Sequence, residues 1–166
     1  MTLRATEGYR FVRPIVLTDA DIDHQGHLNN AAVARHLNDL RIAYIGHGPG
    51  RAWRDHLAAE GLTVVVRELH IAYDREATIA DDLVGCVRVA ARQGKAKIVE
   101  QRIVDATRDV VVARAWVVQL VVRDGSVIEF PEFYWDAIAT VEGRVIPPEP
   151  RRVAAEWGPP ALGHGS

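Results

Sequence analysis

Between Leu62 and Val122 the chain carries four long stretches with the composition or period of β-strands, and one long amphipathic helix precedes them. Leu62 to Tyr73 is rich in β-branched residues. From Leu83 onward, Leu83, Gly85, Val87, Val89 and Ala91 alternate with Val84, Cys86, Arg88, Ala90 and Arg92, the two-residue period of a sheet. Gly94 separates that run from Lys95 to Asp105. Thr107-Arg108-Asp109 separates the latter from the Val-rich run Val110 to Val122, which Asp124-Gly125 closes. This pattern predicts an antiparallel meander. Strands of ten or more residues span about 33 Å or more. The helix predicted over Asn30 to Ile45 places Val33, Leu37, Leu40 and Tyr44 on one stripe and is about 24 Å long. The expected fold class is therefore α+β, one long central helix wrapped by a curved antiparallel β-sheet.

The remaining segments fit around that frame. Tyr9 to Leu17 reads as a first strand, Gly46 to Gly50 ends the long helix, and a shorter helical turn follows around Trp53 to Ala59. Pro131 can sit in the first turn of a final helix through Phe133, Trp135, Ala137 and Ile138. From Gly143 onward the density of proline and glycine points away from regular structure. We read residues 1–142 as a single domain and 143–166 as an extended or disordered tail able to pack locally through Trp157. With 48% hydrophobic residues the chain can build one substantial core.

Twenty Lys+Arg against 22 Asp+Glu, with no polybasic run, gives no sign of nucleic-acid binding. No stretch approaches the roughly 20 apolar residues that span a bilayer. The N-terminal residues lack the apolar core of a signal peptide, so the cytosol is the expected compartment. Cys86, the only cysteine, lies in an alternating run and reads as a small buried apolar group.

The chemistry is concentrated in Asp19-Ala-Asp21-Ile-Asp23-His24-Gln25-Gly26-His27-Leu28-Asn29-Asn30, immediately before the long helix. Asn29 or Asn30 would cap that helix. Its first backbone N–H groups have no partners within the helix and face the positive end of the peptide dipoles, so they can hold a carbonyl oxygen that becomes anionic. Asp23 sits a few residues upstream. One loop can therefore supply both a carboxylate and an oxyanion site. Asp19 and Asp21 read better as turn and capping residues. A calcium loop counted from Asp19 fails, because its sixth position is His24 rather than Gly and its twelfth is Asn30 rather than Glu. His24, His27 and Asp23 lack further ligands at a recognised spacing, so no metal is expected.

The order strand, D-x-D-x-x-G-H-x-N-N loop, long helix and strands resembles the hotdog-fold acyl thioesterases, specifically the 4-hydroxybenzoyl-CoA thioesterase-like group. The carrying residues are Asp21, Asp23, Gly26, His27, Asn29 and Asn30. His70-Ile-Ala-Tyr73-Asp-Arg75-Glu-Ala77 leading to Asp81-Asp-Leu-Val84, and the ending Glu129-Phe-Pro-Glu132, extend it over roughly Arg10 to Ile138. The resemblance implies a hotdog fold and hydrolysis of an acyl-CoA or acyl-carrier-protein thioester without a cofactor. It implies Asp23 as nucleophile or general base and the Asn30 amide as oxyanion donor, with His27 shaping the site or ordering the loop. Gly26, Asn29, Glu68, His70, Tyr73 and Arg75 become substrate-binding candidates, the strand residues reaching the groove from a neighbouring subunit. Asp39, on the helix, is the reserve carboxylate.

Relatives of this kind assemble as dimers or tetramers with sites at the seam, and one helix cannot cover a long sheet alone, so a homodimer or homotetramer is expected. Coenzyme A would bring phosphates, for which Arg75, Arg88, Arg92, Lys95 and Lys97 are available, Arg75 foremost. Two other functions fit the same fold: a non-catalytic acyl-CoA-binding or sensor module, and an acyl-CoA hydratase or dehydratase using Asp23 with His27.

Overall fold

The computed structural model describes residues 3–47 and 50–150. Its elements run β1 (Phe11–Ile15), α1 (Asn30–His47), α2 (Gly50–Ala59), β2 (Thr63–Tyr73), β3 (Leu83–Gln93), β4 (Ala96–Asp105), β5 (Val110–Arg123), β6 (Ser126–Ile128), α3 (Glu132–Glu142) and β7 (Pro148–Glu149). The main sheet has the order β1-β3-β4-β5-β2, with β6 added to β5 and β7 to β3. The β3-β4-β5 meander is the one expected from the alternating runs. β2 closes the other side on β5, so the link from Tyr73 to Leu83 must cross from one edge of the sheet towards the other. Register shifts at Val66/Glu68, Val89/Ala91 and Ile103/Val104 mark irregularities in the ladders. Shifts of this kind bend strands, and they curl this sheet around α1.

The predicted stripe Val33, Leu37, Leu40 and Tyr44 is buried, as is Arg41 beside it. Leu40 and Tyr44 join Val87, Val89, Val99, Val117 and Trp53 in one apolar cluster, while Val33 and Leu37 join Leu83, Ile103, Ala113 and Ala115 in a second. Trp53 and Trp135 are core residues of the first cluster. On the opposite sheet face the N-terminal residues fold back, and Tyr9 packs with Cys86 and Val104. The guanidinium groups of Arg88 and Arg102 lie 4.7 and 5.0 Å from the centre of its ring. Burial pushes the Cys86 thiol up to about 12, which keeps it a protonated apolar group.

Several boundaries differ from the sequence reading for identifiable reasons. The first strand is only Phe11–Ile15, because Tyr9 N–H is engaged by Thr6 in a preceding turn. Pro14, which has no N–H to give a ladder, is tolerated because β1 is an edge strand. The final helix runs a turn beyond Ile138 and stops at Gly143, whose φ of 64° provides the left-handed cap. Beyond it Ile146 is buried and Pro148–Glu149 pairs in parallel with Arg92 and Gln93, a short regular contact where proline density had pointed away from one. Trp157 lies outside the described residues. Among the described residues no helix is long and apolar enough to cross a membrane.

The largest departure is Lys97. One of five basic residues available in the sequence to a coenzyme A phosphate, it is fully buried between α3 and the sheet, with Nζ donating to the Tyr134 hydroxyl at 2.6 Å and lying 5.2 Å from the Phe130 ring centre. Arg88 and Arg92 are engaged by Glu100 and Glu132. A buried polar layer continues beneath α1, where Arg41 donates to Gln101 at 3.0 Å and Gln101 donates to the Leu37 carbonyl at 2.6 Å.

Candidate active site

The loop before α1 is built outward from Asp21. Its Oδ2 accepts from Thr18 N and Thr18 Oγ1 at 2.8 and 3.1 Å, and its Oδ1 is paired with Arg35 and lies 3.5 Å from His36 Nε2. Burial alone would raise the Asp21 pKa, but the Thr18 and Arg35 hydrogen bonds and the nearby His36 hold it below the usual range. The Asp21 carbonyl receives both the backbone N–H and the side-chain Nδ2 of Asn29, each at 2.9 Å. Asn29 Oδ1 in turn accepts from Ala32 N at 2.7 Å. Asn29 is therefore the cap, and Asn30 is the first helical residue. The N–H groups of Asn30 and Ala31 have no hydrogen-bond partner among the described residues.

Asp23 turns onto its own loop. Oδ1 accepts from Gln25 N at 2.8 Å and His27 N at 3.0 Å, while Asp23 N donates to the His27 carbonyl at 2.8 Å. Gly26 supports this tight turn with φ 84°, a conformation that L side chains adopt at a cost. The His27 N–H is the foremost reason that the Asp23 carboxyl ionises more readily than usual, and the Gln25 N–H adds to it. Asp23 is thus an anion at neutral pH, with Oδ2 lacking a hydrogen-bond partner among the described residues.

Leu28 N donates to the Ala77 carbonyl at 2.7 Å, tying the loop to the link between β2 and β3. Between them opens a cleft of about 240 Å³ with Leu28, Val33, Ala77, Val112 and Ala113 as apolar walls, and Asn30, Tyr73, Asp74, Arg75 and Glu76 as its polar lining. Asp74 is held by two bonds of 2.7 Å from Arg114. His27 Nε2 stands 3.5 Å from Glu76 Oε2.

The fold thus brings Asn30, Tyr73 and Arg75 together at one cleft, with His27 beside it through Glu76. Asp23, Gly26 and Asn29 shape the adjoining loop, and Asp23 does not itself line the cleft. Glu68 and His70 do not reach it within this chain. They pair with each other at 3.3 Å, and strand alternation from the core-packed Ile71 turns them to the opposite sheet face, where His70 sits across from Trp116. Asp39 on α1 is exposed and also outside the cleft. The sequence reading gave no role to Glu76 or Asp74, because the alternating pattern that orients side chains ends with β2 at Tyr73. Among the described residues no group of three or more His, Cys, Asp or Glu side chains could hold a metal ion.

A curled antiparallel sheet around one helix, with a cleft at the helix start, is the architecture of hotdog-fold thioesterases. The model of the thioesterase-like superfamily matches residues 17–139, and the chain belongs to that superfamily. No curated protein matches the sequence. A Thermus thermophilus thioesterase complexed with coenzyme A and Zn superposes with a TM-score of 0.70 at 22% identity, over 83% of this chain and 98% of that one. A hypothetical protein from Staphylococcus aureus, in complex with CoA, gives 0.71 at 18% identity over 90% and 92%. A probable thioesterase from Escherichia coli gives 0.66 at 21% identity over 81% and 98%.

Proposed function

We propose that this protein hydrolyses an acyl-CoA or acyl-carrier-protein thioester, as a member of the 4-hydroxybenzoyl-CoA thioesterase-like group. The observation that carries the proposal is the pair of unpartnered amides at Asn30 and Ala31, at the helix start that opens on an apolar-walled cleft. A thioester carbonyl oxygen placed there would gain hydrogen bonds as it becomes an oxyanion, each such donor being worth about 10²–10³ in rate. The leaving thiol has a pKa near that of cysteine, about 8.5, and departs without a strong acid. The ionised Asp23 supplies the nucleophile or the base, His27 orders the loop, and Arg75 at the cleft is available to a phosphate of the carrier. Coenzyme A in the Thermus and Staphylococcus structures supports this ligand class. A cytosolic homodimer or homotetramer belongs to the same proposal, since β2 is an edge strand exposing Val66 and Leu69.

Free-thiol release from a panel of short, long and aromatic acyl-CoAs, with Asp23→Asn alongside, tests the reading. Turnover that falls sharply in the variant supports it. A second reading, a binding or sensor module, is favoured by the engagement of Asp23 Oδ1 within its own loop. Tight acyl-CoA binding without thiol release would select that reading instead.

A further inference from the structure

Besides Asp21, whose carboxylate is taken up by Thr18, Arg35 and His36, three carboxylates lie around the start of α1, and their surroundings differ. Asp23 has one oxygen committed to two loop amides and does not line the cleft. Asp74 lines it, but Arg114 holds both of its oxygens. Glu76 also lines the cleft, its side chain is 78% exposed, and its one ion-pair candidate within 4 Å among the described residues is the His27 imidazole at 3.5 Å. We infer that Glu76 is a further catalytic residue, the carboxylate that takes the proton of the hydrolytic water, with His27 as the positioning residue that holds it across the cleft mouth.

The inference rests on the thioester-hydrolysis reading and adds a base to it. Hydrolysis consumes one water whether that water attacks the thioester directly or attacks an acyl group already transferred to Asp23. In the direct case, the water oxygen bonds to the carbonyl carbon as its O–H bond breaks and the proton passes to a Glu76 oxygen. The C–S bond then breaks, the thiolate leaves with the electron pair, and Glu76 returns the proton to it. In the two-step case an Asp23 oxygen bonds to the carbonyl carbon and the thiolate leaves with the C–S electron pair. Water then bonds to the anhydride carbonyl carbon as its proton passes to Glu76, the C–O bond to Asp23 breaks to return the Asp23 carboxylate, and Glu76 gives the proton to the thiolate. The titratable and charged groups that touch this carboxylate or share its cleft are His27 on the loop, Tyr73 from β2, and Asp74 and Arg75 on its own segment, with Arg114 from β5 paired to Asp74, which neutralises it.

The test is steady-state kinetics of Glu76→Gln, Glu76→Asp and His27→Ala on whichever acyl-CoA the wild type turns over, each across a pH series. Loss of a general base is expected to lower kcat about 10²-fold or more, with KM changed little, and to remove the acidic limb of the pH profile. Glu76→Asp should recover part of kcat. His27→Ala should lower kcat by less than Glu76→Gln does and leave KM little changed, as expected for a residue that positions the carboxylate without touching the water. Unchanged kcat in Glu76→Gln, or a change confined to KM, would overturn the inference while leaving thioester hydrolysis intact. A wild type that releases no thiol from any member of the panel would remove the underlying reading, and this one with it. Full activity in Asp23→Asn beside an inactive Glu76→Gln would uphold the inference and withdraw the role given to Asp23.

Discussion

Leu40 of α1 occupies the space directly above Gly85 of β3, so that a β-carbon at position 85 would fall inside contact distance of the leucine side chain. Both residues are buried, and α1 rests on β3 at this point. Gly85→Ala therefore forces the helix or the leucine to shift, at a cost of about 1–3 kcal/mol. Urea denaturation should show a lower midpoint with an unchanged slope, and Leu40→Ala in the same background should recover part of the loss.

Asp23→Asn separates charge from architecture. The amide oxygen can still accept from Gln25 and His27, so the loop keeps its two short bonds. Thermal denaturation should change little, whereas thioester turnover should fall by about 10²-fold or more if the negative charge is used.

Asn29 uses both ends of its carboxamide, one on Ala32 N and the other on the Asp21 carbonyl. Asn29→Ala should cost about 1 kcal/mol as a lost cap. It should also lower kcat more than it raises KM, because the amides at Asn30 and Ala31 lose their fixed direction. Asn29→Asp retains the acceptor and should restore most of the stability.

Lys97 makes stability depend on pH near neutrality. Burial, with a smaller contribution from Arg41, lowers its pKa from 10.5 to about 7. Between pH 7 and about 8.5 the denatured chain binds a proton at this position that the folded chain does not, so acidification favours denaturation and stability rises with pH. The slope approaches about 1.4 kcal/mol per pH unit, or roughly 2 kcal/mol over that window. At more alkaline pH, Cys86 and the buried tyrosines, which are neutral when folded and ionise once exposed, act in the opposite sense. Denaturant titrations at several pH values should show the rise, and Lys97→Met should flatten it.

Much of this arrangement is legible in the sequence because it follows from periodicity. The buried stripe from Val33 to Tyr44, the meander of β3 to β5 and the cap at Asn29 all follow from local rules about side-chain spacing and orphan amides. Lys97 and Gln101 are different. Each sits at a core-facing strand position with a polar side chain, and its tolerance depends on Tyr134 or Leu37, which are distant in sequence. The direction of Glu76 is not legible in the sequence for a related reason, since no repeat orients side chains in the link beyond Tyr73. Glu68 and His70 are groove candidates only from a neighbouring subunit, and within one chain the alternation of β2 turns them to the other sheet face.

The bond from Leu28 to Ala77 joins segments separated in the chain by α1, α2 and β2. The hollow beside Asn30 consequently has no local precursor: it comes into being only when β2 has docked and the span after it has been carried back over the helix start. Non-local closure of this sort is slow relative to helix growth. During refolding, enzymatic competence should therefore return after the helical dichroism signal, making turnover a sensitive index of how much of the population has completed its last topological step.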